Sequence, residues 1–361
     1  MYEEEKKEFV VPKWFIIVFA FIIIILLVIF VSIILKGENK TKSNPNDISE
    51  LQTDNTQQDN LEPEKKLQIL DLESKTRPIA VMINNHPEAV RVQAGLQDAY
   101  LVYEMQVEYG LTRLMAIFKD KTTTKIGSVR SSRHNYLDYA LENDAIYVHF
   151  GYSEIAEKQI PQLGINNING LYDGAFWRDN TLNVAYEHTA FTNMEKIMAN
   201  AALKGYRTES SKDTLLNYSI EPIYLKDNSD SQTTTKVDLI FSTSTVVSFV
   251  YDATNHNYKR FVNNVENKDY VTKEQYTAQN IIVMKVKNTF ASGSAYLQDY
   301  QNIGEGDGYY ITNGYAVPIK WSKESRSSQT VYSYLNGEEI TVNDGNTYIE
   351  IVPLGNSVKI S

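Results

Sequence analysis

The hydrophobic pattern of the chain begins with one long apolar run. Residues 14–35 read WFIIVFAFIIIILLVIFVSIIL, a run of 22 residues without a charged side chain, and a helix of that length crosses a hydrocarbon core of ~30 Å. A cleaved signal peptide has an apolar core of only roughly 7 to 15 residues, followed by a small-residue cleavage site. We therefore predict an uncleaved transmembrane helix from Trp14 to Leu35, preceded by a stub of residues 1–13.

The lysines that flank this span do not decide its orientation, because their numbers on the two sides are equal. They are Lys6, Lys7 and Lys13 before the span and Lys36, Lys40 and Lys42 after it. A short stub followed by one long globular portion favours a cytoplasmic stub and an extracytoplasmic bulk. The opposite orientation stays open on the charges alone.

The segment after the span, residues 36–75, is rich in Asn, Gln, Glu, Lys and Asp. It holds too few aromatic and β-branched side chains to bury a core. We predict that it is a disordered linker that tethers the folded part of the chain to the membrane.

The pattern of residues 76–225 mixes strands and helices. LVYEMQVEY, for example, places Tyr103 and Met105 on one face of a strand and Glu104 and Glu108 on the other, and Gly110 then turns the chain. A capping box at Thr192 to Glu195 opens a helix that Gly205 closes. The other predicted elements are strands at 77–84, 111–118, 126–129 and 145–150, and helices at 132–142 and from Ser153. These elements predict an α+β or α/β domain.

A polar stretch at 226–236 predicts an inter-domain linker, and residues 237–361 then read as short strands and tight turns. Asn313-Gly314, Asn336-Gly337 and Asp344-Gly345 each lie between strand patterns, where such pairs supply the two positive φ angles of a type I′ hairpin. We predict a mostly β C-terminal domain.

Composition narrows the chemistry. The net charge of −10 argues against broad binding to nucleic acid, which needs a basic face. The chain has no cysteine, which excludes disulfides, thiolate catalysis and cysteine-type zinc sites. None of the five histidines is paired with another at a metal-ligand spacing. We therefore predict no metal and no cofactor.

Segments of both domains resemble the YerB-like bacterial envelope proteins. The N-terminal segments are RPIAVMINNHPEA, AYLVYEMQVEYGLTRLMAIF, IGSVRSSRHNYLDYALENDAIYVHFG and GAFWRDN, and the C-terminal ones are VYDATNHNYKRFV, AQNIIVMKV and GEGDGYYITNGYAVPIKWSK. Together they span about residues 77–353. The resemblance implies two domains of unknown function and an envelope location. Members of this family are commonly Gram-positive lipoproteins, so a chain without cysteine implies that the 14–35 helix replaces the lipid anchor.

The stretch VRSSR contains the first candidate site. A strand that ends near Val129 and a helix capped by Ser131 or Ser132 would direct free backbone N–H groups at one point, flanked by Arg130 and Arg133. We expect this group of backbone and guanidinium donors to bind phosphate or carboxylate. Under the alternative interpretation, the serine is only a helix cap and the arginines pair with carboxylates of their own domain.

Glu104 and Glu108 are the second candidate. If Gly110 forms a hairpin, Arg113 falls close to both glutamates, and two carboxylates beside one cleft could act as general acid and general base. The same residues could also satisfy one another as a structural network, and we favour that interpretation.

His149 and His188 are candidate general bases, with Asp173 and Arg178 of the DGAFWRD turn nearby in sequence. A lone histidine is more often a hydrogen-bonded structural residue. No G-x-S-x-G nucleophile elbow accompanies them.

Two functions remain open at this stage. The preferred hypothesis is a tethered, extracytoplasmic accessory protein that binds an anionic wall polymer, a lipid-linked precursor or an envelope protein. The alternative is an envelope hydrolase or transferase that acts on a glycan or phosphate-containing substrate, so enzymatic activity is undecided. Catalytic candidates are Glu104, Glu108, His149 and His188, and binding candidates are Arg113, Arg130, Ser131, Arg133, Asp173 and Arg178.

Overall fold

A computed structural model describes residues 66–361 of the chain. The predicted stub at 1–13, the predicted transmembrane helix at 14–35 and most of the predicted linker at 36–75 lie outside the described residues. Within residues 66–361, no helix combines the length and the apolar character needed to span a bilayer.

The last ten residues of the predicted disordered linker, 66–75, are in fact held against the folded part of the chain. The backbone N–H groups of Gln68 and Ile69 donate to the Asp344 carboxylate at 2.8 and 3.1 Å, and Leu70 is buried. The prediction of disorder is wrong for this segment, because its few apolar side chains pack against residues that are distant in the sequence.

The N-terminal half, which we define as residues 66–225, mixes strands with helices. Its strands are β1 (Ile79–Asn84), β2 (Leu101–Gln106), β3 (Thr112–Phe118), β4 (Ile126–Gly127), β5 (Ile146–His149), β6 (Asn167–Asn169), β7 (Trp177–Arg178), β8 (Ala190–Thr192) and β9 (Asn217–Ser219). Its α-helices are α1 (Pro87–Val90), α2 (His134–Glu142), α3 (Glu154–Gln162) and α4 (Met194–Leu203). Short 3₁₀ turns lie at Leu96–Asp98, Glu108–Gly110 and Tyr186–His188, and a fourth, Leu225–Asp227, lies at the junction with the C-terminal half.

The C-terminal half, residues 226–361, is built of strands, which confirms the predicted contrast between a mixed α/β first part and a strand-rich second part. Its strands are β10 (Gln232–Thr233), β11 (Lys236–Ile240), β12 (Val246–Asp252), β13 (Asn257–Val262), β14 (Val265–Glu266), β15 (Thr277–Ala278), β16 (Asn280–Val286), β17 (Asn288–Phe290), β18 (Gln298–Tyr300), β19 (Gly304–Thr312), β20 (Tyr315–Lys323), β21 (Val331–Tyr334), β22 (Thr341–Asn343), β23 (Thr347–Pro353) and β24 (Ser357–Ile360).

One sheet runs through both halves. Its order is β10-β20-β19-β16-β23-β2-β3-β1-β5-β6, with β21 paired to β20. The halves meet where β23 pairs with β2 in parallel. A second sheet, β14-β13-β12-β11-β24 with β15 beside β13, belongs to the C-terminal half. The segment 226–236, which we expected to be a linker, contributes the edge strand β10. The domain boundaries stay predictions, but the two parts share a sheet.

Both faces of the large sheet are covered. Alternate residues of β1 enter different cores, so that Ala80 and Met82 lie in one and Val81 and Ile83 in the other. This explains why the β1 sequence is continuously apolar rather than alternating. Helix α2 packs in the first core, whereas α4 and the second sheet pack in the other.

Only one of the three predicted hairpin turns has the expected backbone. Asn313 and Gly314 have φ angles of 47° and 79° and join β19 to β20, which confirms that prediction. At the other two pairs, only Gly337 and Gly345 have positive φ. The hairpin predicted at 344–345 is wrong, because β22 pairs with β9 and β23 pairs with β2 and β16.

Two fully buried ion pairs link the halves. Arg260 Nη2 lies 2.6 Å from Glu104 Oε2, and Lys323 Nζ lies 2.5 Å from Glu142 Oε2, with all four side chains 0 % exposed. In each pair the glutamate comes from the N-terminal half and the cation from the C-terminal half. Glu104 also accepts hydrogen bonds from Asn85 and Thr112, and Glu142 from Tyr103 and Thr330. The extra donors help to compensate for the lost hydration.

A third glutamate, Glu350, lies beside the first pair. It is directly opposite Glu104 in the β2–β23 register, is fully buried, and neither of its oxygens has a hydrogen-bond partner in the described part of the chain. Burial, and next the charge of Glu104, raise the pKa of Glu350 well above its ordinary value, although Arg260 acts in the opposite direction. Folded Glu350 therefore keeps its proton to a higher pH than an ordinary glutamate.

We expect Glu350→Gln to remove a pH dependence of stability. Folded Glu350 keeps its proton above ~4.3, where the unfolded residue loses it, so the free energy of unfolding should fall by up to about 1.4 kcal/mol per pH unit as pH rises toward the folded pKa. Urea unfolding at pH 5, 7 and 9 measures this slope. Glu339→Gln, at an exposed position, is the control, and an unchanged slope in Glu350→Gln contradicts the assignment.

Candidate functional site

Most predicted site residues lie at one edge of the large sheet. Strands β1, β2 and β5 run in the same direction, because β1 and β5 are parallel and β3 is antiparallel to both β1 and β2. Their C-terminal ends therefore meet at one edge, where parallel strands commonly present functional side chains. Four arginines lie there, and we call them the arginine face: Arg113, Arg130, Arg133 and Arg178.

Three of the five backbone N–H groups of VRSSR are bonded to carbonyl oxygens of neighbouring segments, and Val129 N–H donates to Ala190 O at 2.7 Å. Arg130 N–H donates to Met82 O at 2.9 Å, and Ser132 N–H donates to Gly151 O at 2.9 Å. Phe150 N–H in turn donates to Arg130 O at 3.0 Å. The prediction of free backbone donors is therefore wrong for Arg130 and Ser132, and it stays a prediction for the rest of the loop.

The predicted serine cap is also wrong. Helix α2 begins at His134, and its N-cap residue is Arg133, whose side chain makes no capping bond. Ser131 Oγ donates to Phe150 O at 2.9 Å, and Ser132 Oγ accepts from the Tyr147 hydroxyl at 2.9 Å. Both serines fasten the loop to β5 and the residue that follows it, so neither hydroxyl is available to cap the helix.

Glu108 binds two members of the arginine face. Arg133 donates to both carboxylate oxygens, with Nε at 2.8 Å from Oε2, and Arg113 Nη2 lies 3.6 Å from Oε1. Burial raises the pKa of Glu108, but the hydrogen bond from Arg133 and the two arginine charges outweigh it and lower the pKa to about 2. One carboxylate thus serves two cations.

Arg113 is held on a second side by the loop. Its Nη1 donates to Ser131 O at 2.6 Å, and its side chain is 7 % exposed. Burial, and next the charge of Arg133, lower the pKa of Arg113 to about 9. The guanidinium remains charged at neutral pH and contributes positive potential from beneath the surface.

Glu104 does not join Glu108. Strand β2 ends at Gln106, and Tyr109 takes a φ of 57° in the turn that follows, so Glu108 leaves the strand face that carries Glu104. Glu104 lies in the interior against Arg260. The prediction of two carboxylates beside one cleft is wrong, and the contacts match the structural network that we favoured.

Arg130 and Arg178 form the accessible part of the arginine face. Arg130 Nη2 lies 2.9 Å from Glu187 Oε1, with the two side chains 27 % and 58 % exposed. The Arg178 guanidinium stacks between Phe150 and Tyr186, at 4.4 and 4.3 Å from the ring centroids. Within residues 66–361, no carboxylate lies within 4.0 Å of the Arg178 guanidinium nitrogens. Such stacking keeps a guanidinium in place without neutralising it.

The Arg178 guanidinium lies against one exposed tyrosine, Tyr186, and a second exposed tyrosine follows the glycine that Phe150 covers. Tyr172 and Tyr186 are 75 % and 68 % exposed, and the hydroxyls of Tyr152 and Tyr172 lie 2.8 Å apart. Phe150 covers Gly170 so closely that a Cβ there would lie 2.1 Å from the ring. The arrangement offers flat apolar surfaces next to positive charge.

His149 and Asp173 hold the scaffold. His149 is 0 % exposed, its Nδ1 lies 2.8 Å from Gly151 O, and burial lowers its pKa to about 4. Asp173 accepts from Asn169 N–H at 2.7 Å and from Lys204 at 2.9 Å. These contacts match the structural alternative for His149 and give Asp173 a loop-fixing role. A catalytic role for His149 stays a prediction.

His188 lies next to Arg130, stacked on a histidine that sequence reasoning missed. Its ring centroid is 4.8 Å from that of His86, and its Nδ1 bonds the amide of Asn84 at 2.7 Å. The signal in the sequence was the Asn-Asn-His-Pro turn at the end of β1, which places polar groups at the strand end. Phe150 and Tyr186 were also missed, since only the fold brings their rings to Arg178.

No metal centre accompanies these residues in the described part of the chain, where no three His, Asp or Glu side chains are grouped to hold an ion. The chemistry that the edge offers is therefore charge, hydrogen bonding by guanidinium groups and stacking.

Comparison with known proteins gives the family. Residues 67–207 match the family described as "Protein of unknown function (DUF3048) N-terminal domain", and residues 237–349 match "Protein of unknown function (DUF3048) C-terminal domain". The chain belongs to the DUF3048 family. All of the arginine face lies within the DUF3048 N-terminal match, whereas Arg260 and Lys323 lie within the C-terminal match.

A named relative of this DUF3048 chain is "Putative lipoprotein YerB" of Bacillus subtilis (strain 168), which is 28% identical over 301 residues, or 80% of this chain and 85% of the relative. The crystal structure of the YerB protein from Bacillus subtilis superposes with a TM-score of 0.68 and covers 79% of this chain and 94% of that one. These similarities agree with the resemblance seen in the sequence.

We expect Glu108→Gln to be less stable at neutral pH. Because the pKa of Glu108 is lowered to about 2 in the folded state, its stabilisation is present above ~4.3 and is lost as pH falls toward 2. The loss at pH 7 should be about 3 kcal/mol and should disappear near pH 2. Urea unfolding between pH 2 and 7 measures it. Asp307→Asn, at an exposed pair with Lys320, is the control, and equal losses in both variants would contradict the account.

Proposed function

We propose that this protein is a membrane-associated, extracytoplasmic protein that binds an anionic component of the cell envelope through the arginine face. The observation that carries the proposal is Arg178, a half-buried guanidinium held between two rings with no carboxylate within ion-pair distance in residues 66–361. A fixed cation without an anionic partner is suited to bind one from outside.

The charge balance of this edge supports the same proposal. Arg113 and Arg133 share Glu108, Arg130 pairs with Glu187, and a third carboxylate at this edge, Glu88, lies 3.9 Å from His188. The edge therefore carries excess positive charge, although the whole chain has a net charge of −10. Local positive charge on an acidic protein favours anionic ligands over general adhesion to polyanions.

The position at which the N-terminal segment joins the fold also supports the proposal. Gln68 and Ile69 bond to Asp344, just before β23 begins, so the chain enters at the edge where the parallel strands start. The arginine face lies at the edge where those strands end. With ~3.3 Å per residue, the six residues of β2 separate the two edges by ~20 Å. A chain tethered through its N-terminal segment would thus present the arginine face away from the tether's attachment.

Among anionic envelope components, a phosphate-containing wall polymer fits best. The exposed Tyr186 ring beside the Arg178 guanidinium offers a flat surface for the apolar face of a sugar or polyol unit. Arginine binds phosphate oxygens with two parallel hydrogen bonds. The name of the Bacillus subtilis relative, a lipoprotein, supports the envelope location.

A carboxylate-based hydrolase is the weaker hypothesis. A general acid or base works best with a pKa near the operating pH, whereas Glu104 is buried against Arg260 and the pKa of Glu108 is lowered to about 2. Catalysis by these glutamates, or by His149 or His188, would need a rearrangement of their ion pairs and hydrogen bonds.

We expect Arg178→Gln to weaken binding of poly(glycerol phosphate) by about tenfold, the loss of roughly one charge-assisted contact. Titration calorimetry with the full-length chain in zwitterionic detergent measures the affinity. Arg207→Gln is the matched control, because Arg207 is a half-exposed arginine paired with Asp144, before β5 begins at the opposite edge.

Polyglutamate and a neutral oligosaccharide, measured in parallel, separate phosphate recognition from general attraction to polyanions and from sugar stacking alone. Equal affinities in Arg178→Gln and Arg207→Gln would refute the site, and no binding of any of the three polymers would refute the function.

A further inference from the structure

The stacked pair His86 and His188 borders the accessible part of the arginine face. The ring planes are 20° from parallel, with centroids 4.8 Å apart. His188 is 2 % exposed, and the residue before it, Glu187, is the ion-pair partner of Arg130. A positive charge on either histidine would therefore raise the electrostatic potential at Arg130.

The hydrogen bonds determine which ring nitrogens carry protons. The backbone N–H of His86 donates to Asn84 Oδ1 at 3.1 Å, so the Nδ2 group of that amide is the donor to His188 Nδ1 at 2.7 Å. The backbone N–H of Glu88 donates to His86 Nδ1 at 3.3 Å. Since a backbone N–H only donates, both Nδ1 atoms accept, which places a ring proton on each Nε2.

Protonation of the pair has an identifiable cost. A proton on either Nδ1 would replace an accepted hydrogen bond with two donors facing each other. Burial, followed by the charges of His86 and Arg130, lowers the pKa of His188, whereas Glu187 and Glu88 act in the opposite direction. These are the charged and titratable groups that face His188 from α1, from the VRSSR loop and from its own 3₁₀ turn. Protonation of His188 therefore needs a more acidic solution than protonation of an ordinary histidine.

We propose that the His86–His188 pair makes the arginine face acid-sensitive, so that protonation of the pair adds positive charge beside Arg130 and tightens the binding of a phosphate-containing polyanion. The inference rests on the proposed function, because it concerns regulation of the same site. A bound phosphate offsets the repulsion that opposes protonation. By thermodynamic linkage, a ligand that raises the histidine pKa in the complex also binds more tightly in acid, where the histidine is protonated.

The expected effect follows from the same linkage. A ligand that raises one histidine pKa by one unit binds about tenfold more tightly to the protonated than to the neutral protein. We therefore expect the affinity for poly(glycerol phosphate) to be about tenfold higher at pH 5 than at pH 8. Phosphodiesters keep a constant charge over this range, so the change reports on the protein.

The test uses the full-length chain in zwitterionic detergent, with titration calorimetry at pH 5 and pH 8. In the double variant His86→Asn/His188→Asn, asparagine retains an N-cap acceptor at 86 and an amide acceptor at 188, and we expect the pH effect to vanish. His256→Asn is the matched control, because His256 lies between β12 and β13 with a φ of 54° that asparagine tolerates, and it should keep the full effect.

A measurement on the unaltered chain keeps the test decisive if the double variant fails to fold. Calorimetry at pH 6 in buffers of different ionisation enthalpy counts the protons taken up on binding, and net uptake is expected. Binding without proton uptake, or an equal pH effect in the double variant, would overturn the inference and leave the proposed function standing. Absence of binding at both pH values would overturn both.

Discussion

Arg260 and Lys323 are buried at 0 % exposure against glutamates that lie more than 150 residues earlier in the chain. An unpaired buried charge costs several kcal/mol. Separation of the two halves, or loss of one member of a pair, would therefore strongly lower the free energy of unfolding. The parallel pairing of β2 with β23 holds these charges in place. The rest of the architecture depends on this seam, because it joins the mixed N-terminal strands and the C-terminal strands into one sheet and fixes the end of β2 from which Glu108 projects.

At the edge of the sheet, the arginines are paired differently from the two buried cations. Inside, Arg260 and Lys323 each pair with one glutamate, and burial raises the pKa of Glu350, the third glutamate there. At the edge, Glu108 is shared between Arg113 and Arg133, and Arg178 is held by stacking. Each of these two buried cations thus has its own carboxylate partner, while the arginine face keeps surplus positive charge. This difference separates residues that hold the fold from residues that are free to meet a ligand.

Several features of the site were predictable from local sequence, and the failures share one cause. Arg130 and Arg133 are three positions apart in one loop, and Glu108 and Arg113 flank one turn, so their proximity follows from short-range geometry. Glu104 was misassigned because its partner, Arg260, is 156 residues away. The hairpin prediction at 344–345 was wrong for the same reason, since β23 pairs with β2 and β16, which are distant in sequence, and not with the preceding strand β22. Local patterns do not reveal competition from distant strands.

The sequence by itself determined the strands and helices with strong periodicity, the contrast between a mixed first part and a strand-rich second part, and the family. These depend on side-chain spacing and turn chemistry, which are local properties. Tertiary structure alone decided which charges are neutralised. Whether a guanidinium faces a carboxylate, a ring or solvent is set by contacts between residues far apart in the chain. Those contacts made Glu104 part of the core and left Arg178 half-buried, without a carboxylate partner in residues 66–361.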